Sequence, residues 1–184
     1  MNDYDEIDDL ALQVRMDYGF LDKRVDVFKL LEKIHVRPVK YSQLTEDQRK
    51  LIEDQCSVKD AMTIFDNSKF PSSCYLLYND RQPLTRIRFS TIHEVKHILC
   101  GELNPTPRQE QLADHFSREL LVPSCLLIHE EYDVPIAVAS DFGVSFESAS
   151  YALSSAIRRK NSPRFRFSDT EKEFLRRYEE NRRK

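Results

Sequence analysis

His93-Glu94-Val95-Lys96-His97 is the stretch whose residue types and spacing can do chemistry. It reads H-E-x-x-H. Two histidines four apart lie on one helix face, so both imidazoles can bind one divalent ion. Glu94, one residue on from His93, points about 100° away from it. From there its carboxylate reaches a water held at the ion without ligating the ion itself. Such a set performs hydrolysis: the ion polarises a scissile carbonyl, and Glu94 as general base moves a proton from the attacking water to the leaving amine. The plainer reading is a satisfied structural histidine pair. The chain has only five histidines, at 35, 93, 97, 115 and 129, so an accidental pair at this spacing is the less expected outcome.

Two histidines do not complete a hydrolytic zinc site, which ordinarily has three protein ligands and one open position. Downstream candidates for the third are Glu102, Glu110, Asp114, His115 and Glu119. Glu110 is preferred, because Glu110-x-x-x-Asp114 puts two carboxylates side by side on a helix. One binds metal and the other holds the outer N–H of a ligand histidine. The plainer reading of that pair is a solvated helix edge. His115 points away from both on a helical projection. An oxyanion also needs a donor. Tyr75, Tyr78 and Tyr151 are available, though each reads first as a packed aromatic, and the sequence does not choose among them.

The elements must position these groups. Around His93, the residues Ile87, Ile92, Val95, Ile98 and Leu99 fall on one broad arc, with His93 and His97 opposite it. Pro83 opens this helix and Gly101 and Pro105 end it. Pro107 to Leu121 is the next helix, with Leu112, Ala113, Phe116 and Leu120 on its core arc. Upstream, helices are expected over 3–18, 25–34 and 45–56, the last opened by a Thr45/Gln48 capping box. Strands are expected over 36–41, with Pro38 favouring an edge, and over 61–65 and 74–78, joined by a polar turn through Asp66, Asn67 and Ser68. Downstream, helices over 135–142 and 146–157 flank Gly143-Val144-Ser145 in a helix-turn-helix-like spacing, and 168–184 forms a charged helix. The expected fold is helix-rich α+β with a small β-sheet. It divides into a core over 1–133 and a C-terminal helical annex over 134–184 packed on it, or forms a single domain.

Composition narrows the classes. Three glycines and no tryptophan argue against a turn-rich sandwich or barrel. A formal net charge of −3 dictates no nucleic-acid partner. The cysteines at 56, 74, 100 and 125 form no C-x-x-C pair and read as reduced, mostly buried thiols. The opening Met1–Glu6 is acidic without an apolar run, so no signal peptide is expected. No stretch of 18 apolar residues occurs, so no membrane span is expected. A soluble, cytoplasmic protein follows from these.

Arg88-Phe89-Ser90-Thr91-Ile92-His93-Glu94-Val95-Lys96-His97 resembles the R-F-T-x-A-H-E-x-G-H block of the ImmA/IrrE family of metallo-endopeptidases. Glu110-Gln111-Leu112-Ala113-Asp114-His115-Phe116-Ser117, with Leu120-Leu121-Val122-Pro123, resembles that family's E-x-E-A-N/D-x-F-A…L-L-M-P block. Tyr75 to Asp80 sits where the family has the strand before its active-site helix, and Gly143-Val144-Ser145 where it often reads F-G-V-S. The resemblance covers roughly residues 20–160. Lys96 replaces the usual Gly and Ile92 the usual Ala, which adds bulk beside the helix. Leu112 replaces a second Glu, leaving Glu110 the clearer ligand.

The resemblance implies a minimal zincin-like peptidase of the gluzincin type. It gives zinc ligation to His93, His97 and Glu110 and the base role to Glu94. A His2Glu site accepts several divalent ions, Zn2+ being the expected one. It also implies a substrate: a helix-turn-helix repressor of a phage or mobile element, whose cleavage lifts repression. A different class of function is a binding module that sequesters such a repressor without cutting it. A third is DNA binding through residues 134–160 and the basic tail, where 158–184 hold 11 Lys/Arg against 5 Asp/Glu. Such a segment is more often a packing element with a solvated face.

Overall fold

The computed structural model describes residues 3–55, 60–66 and 73–184. Nine α-helices and three strands are seen among them. The helices are α1 (Asp3–Asp17), α2 (Val27–Lys33), α3 (Glu46–Gln55), α4 (Leu84–Cys100), α5 (Pro107–Leu121), α6 (Ser124–His129), α7 (Pro135–Phe142), α8 (Phe146–Lys160) and α9 (Asp169–Arg182). The strands are β1 (Val36–Lys40), β2 (Ala61–Asp66) and β3 (Ser73–Tyr78). The helix-rich α+β expectation holds. Cys56 and the turn residues Asn67 and Ser68 lie outside the described residues. No described helix is long and apolar enough to cross a membrane. The chain forms two compact units, one of residues 1–26 with 106–184 and the other Val27–Pro105. The paired helices α7 and α8 belong with α1, α5, α6 and α9.

In Val27–Pro105 the sheet order is β1-β3-β2, with β1 parallel and β2 antiparallel to β3. Pro38 therefore sits on an edge strand, where its missing N–H is tolerated. Cross-strand partners share a face, so Val36, Ala61, Thr63, Cys74, Leu76 and Tyr78 line one side. Val36, Ala61, Leu76 and Tyr78 are buried there. Helix α4 packs against β2 and β3. Its expected apolar arc is buried at Ile87, Ile92 and Val95, and burial extends past it to Arg88, Ser90, Lys96 and His97. Gly101 ends the helix in the left-handed conformation (φ 66°), and the N–H of Glu102 returns to the His97 carbonyl at 2.9 Å.

The elements described in the other unit are all helices. Its α5 opens with a Thr106/Gln109 capping box and Pro107 in the first turn. Arg15 of α1 is fully buried. Its guanidinium donates to the carbonyls of Phe20 (3.1 Å), Leu120 (2.8 Å) and Asp22, and lies 5.3 Å from the centre of the Phe174 ring. One side chain thus ties α1, the following loop, the end of α5 and α9. Replacing Arg15 with Met leaves those carbonyls without their donor. The expected cost is about 3 kcal/mol: bonds to a charged donor are each worth about 1.5–3 kcal/mol, and the burial of the apolar Met offsets part of the loss. A thermal melt should fall by roughly 6–12 °C for a chain of this size.

Gly143 between α7 and α8 has φ 65°, and a Cβ there would meet the Arg24 guanidinium at 2.7 Å. The positive φ is what requires glycine at this turn, since the Arg24 side chain can move aside. The basic tail is largely paired with its own unit's carboxylates: Arg176 with Glu173 and Glu180, Arg177 with Glu173, Arg182 with Glu130.

Candidate metal centre

His93 and His97 face each other one turn apart on α4. Their Nε2 atoms are 3.2 Å apart and their rings stand edge to face at 70°. Two nitrogens on one tetrahedral zinc, each at about 2.0–2.1 Å, are separated by roughly 3.3 Å. The pair therefore already has the spacing that one ion requires. His93 is half-buried and His97 buried.

The outer nitrogen of His97 is held by Glu102, with Nδ1 2.7 Å from Oε2. Both Glu102 oxygens also accept from the Lys96 ammonium, at 2.6 and 2.7 Å. Burial alone would raise the Glu102 carboxyl, but hydrogen bonds from Lys96 and His97 outweigh it and hold the group below the ordinary range. An ionised carboxylate only accepts, so the Nδ1–H of His97 donates to Glu102, and in the neutral ring this leaves the Nε2 lone pair for an ion. The holding role expected of Asp114 is filled at His97 by Glu102, five residues along the same chain segment. Lys96 turns away from the ligand pair towards that carboxylate, and Ile92 is fully buried.

Glu94 is oriented from the sheet. Thr63 Oγ1 on β2 donates to its Oε2 at 2.8 Å, which leaves Oε1 for other work. Cys74 lies on the same sheet face. Burial first, and the Glu94 charge second, push its thiol up, so it stays neutral beside the carboxylate. The described cysteines, Cys74, Cys100 and Cys125, are free thiols, of which only Cys125 is buried. Thr63→Val removes the hydroxyl donor to Glu94 while keeping the side chain's shape. Peptide hydrolysis should fall in kcat by about 5-fold, the rate equivalent of one hydrogen bond of about 1 kcal/mol.

Three of the five candidates for a third ligand have other roles. Glu102 holds His97. His115 Nε2 is 2.6 Å from Asp8 Oδ1, and its ring stands edge-on to Tyr4. Glu119 is buried and accepts from Ser124 N at 2.8 Å and Ser124 Oγ at 3.2 Å. The other two, Glu110 and Asp114, stand one turn apart on α5 and are both half-buried. Asp114 lies 3.9 Å from Arg118. They belong to the helical unit, whereas His93, Glu94 and His97 belong to Val27–Pro105. Of the possible oxyanion donors, Tyr75 projects from the sheet face opposite Thr63. Tyr78 packs against Phe28, and Tyr151 lies beneath the Arg118 guanidinium.

Burial, then the charge of Asp8, pushes the Glu119 carboxyl well above its usual range despite the Ser124 N–H. An acid that binds its proton more tightly when folded loses stability as pH rises above the unfolded value of about 4.3. Glu119→Gln keeps the acceptor for Ser124 and removes that loss. It is expected to melt higher than the parent at pH 7.5, by on the order of 1 kcal/mol, with the advantage gone near pH 4. Melts at the two pH values decide it.

A model described as the IrrE N-terminal-like domain, a peptidase family, matches residues 58–154, more than half of the chain. The comparison with curated proteins gives no match. The matched stretch runs from β2 through most of α8 and contains Thr63, the H-E-x-x-H helix, Glu102 and the Glu110/Asp114 turn. On that match the chain belongs to the ImmA/IrrE family of metallopeptidases.

Proposed function

We propose that the protein is a zinc-dependent endopeptidase acting on a partner protein, a helix-turn-helix repressor of a phage or mobile element, whose cleavage relieves repression. The observation that carries the catalytic part is the opposed Nε2 pair of His93 and His97 beside a glutamate oriented by Thr63. The substrate class rests on the resemblance of the two sequence blocks, and a cytoplasmic location goes with it.

In this reading His93 and His97 give two ligands and Glu110, in the first turn of α5, gives the third. Asp114 holds a ligand histidine from outside. When bound, the metal supplies a Lewis acid that makes water more acidic and a carbonyl more electrophilic. Glu94 then does the proton work. Its Oε2 is committed to Thr63, and its Oε1 takes the proton of the attacking water and delivers it to the departing amine.

The test is incubation of the zinc-loaded protein with a helix-turn-helix repressor of a phage or mobile element, followed by intact mass measurement. Two fragments whose masses sum to the repressor plus one water support the proposal. A stable complex with no fragments supports sequestration instead. Elemental analysis of protein purified without chelators should give close to one zinc per chain.

A further inference from the structure

We infer that Glu102 and Lys96 act as a positioning pair for His97: Glu102 grips Nδ1, and Lys96, buried beneath, fixes Glu102. The inference rests on the reading of His93 and His97 as metal ligands, and assigns work to two residues outside that ligand set. The geometry begins with the end of α4. Left-handed Gly101 reverses the chain, and the Glu102 N–H bonds the His97 carbonyl at 2.9 Å. The backbone of Glu102 is thereby pinned to the residue whose ring its side chain holds at 2.7 Å. No free rotation of the loop separates the carboxylate from its target.

Lys96 completes the device. Only 1% of it is exposed. Its ammonium sits almost equally far from the two Glu102 oxygens, at 2.6 and 2.7 Å, which anchors the end of the carboxylate beside His97. A cation one residue from a metal ligand opposes binding of a second cation unless it is neutralised. Glu102 supplies the neutralising charge and meets the demand of a buried ammonium for a partner. The same carboxylate orients the imidazole, so charge balance and ligand direction depend on one residue.

The test uses the full chain and two readouts: zinc affinity by competition with a chromogenic chelator, and the melting temperature of chelator-stripped protein. Glu102→Leu should weaken zinc binding about 10–100-fold, the usual consequence of removing a ligand's outer partner. It should also lower the melting temperature, because Lys96 is left buried and unpaired. The double variant Lys96→Met with Glu102→Leu removes the stranded charge, so its melting temperature should recover while its zinc affinity stays low. Glu102→Gln, which keeps an acceptor, should lose less affinity than the Leu variant. If Glu102→Leu alone fails to fold, the double variant carries the test. Parental affinity in the double variant overturns the inference and reduces the pair to neutral packing. So does unchanged affinity in Glu102→Leu while the parent binds zinc. A parent chain that takes up no zinc overturns the metal reading itself, and the inference with it.

Discussion

Glu94→Gln is expected to lower peptide hydrolysis by about 10²–10⁴-fold, the range that a positioned general base contributes. The substitution is close to isosteric. The carbonyl oxygen of the introduced amide can still accept from Thr63, so the side chain keeps its orientation. The amide cannot take a proton from water, so only the chemical step is removed. His93 and His97 are untouched, and zinc content should stay at the parental value. Partner binding should also persist, giving a trapped complex that gel filtration detects. Cleavage within a few-fold of the parent would place the base elsewhere. Loss of zinc along with cleavage would instead make Glu94 a structural support for the ligands. The variant also separates the enzyme from the sequestering module in cells: undiminished derepression by Glu94→Gln would mean that grip alone suffices. Thr63→Val, with its far smaller expected loss, serves as the graded control, because it loosens the same carboxylate without removing it.

The parts of this site legible in the sequence are those written at helical spacing. His93, Glu94 and His97 announce themselves because one turn of α4 brings both imidazoles together. The end of that helix is readable too, since Gly101 is needed where φ is positive. The edge position of β1 follows from Pro38, and the start of α3 from Thr45 and Gln48, whose reciprocal bonds are 2.9 and 3.2 Å. What stays hidden depends on tertiary pairing. Thr63 lies 31 residues from Glu94, and a threonine on a strand carries no local sign of its partner. Its place on the same alternating face as buried Ala61 is the only available hint. Glu102 reads as a candidate ligand, because an acidic residue just past a metal helix fits that role as well as an outer one. Helix α6 is not expected from the sequence. Pro123 reads as a stop, yet its fixed φ also suits the residue that leads a helix in. Arg15 gives no warning at all: a lone arginine on an amphipathic helix ordinarily faces water.

Removing the metal should have the largest effect on stability. With free zinc at about a thousand times its dissociation constant, an ion that binds only the folded chain adds about 4.1 kcal/mol. For a chain of this size that corresponds to a rise of roughly 8–16 °C in melting temperature over chelator-treated protein. His97→Ala removes one of the two opposed nitrogens and should abolish the rise. This control matters because the helical unit contains a second group of ligand-type side chains, His129, Glu130 and Glu179. That group is already served by cations of the protein. Lys23 lies 3.2 Å from Glu130, Arg182 reaches both carboxylates, and His129 bonds Glu179 at 3.0 Å. Zinc would have to displace these ion pairs to enter it, whereas at His93 and His97 it meets two nitrogens already spaced for it. The zinc-dependent rise should therefore vanish in His97→Ala and persist in His129→Ala. The reverse pattern would move the metal to the helical unit and remove the basis for catalysis at Glu94.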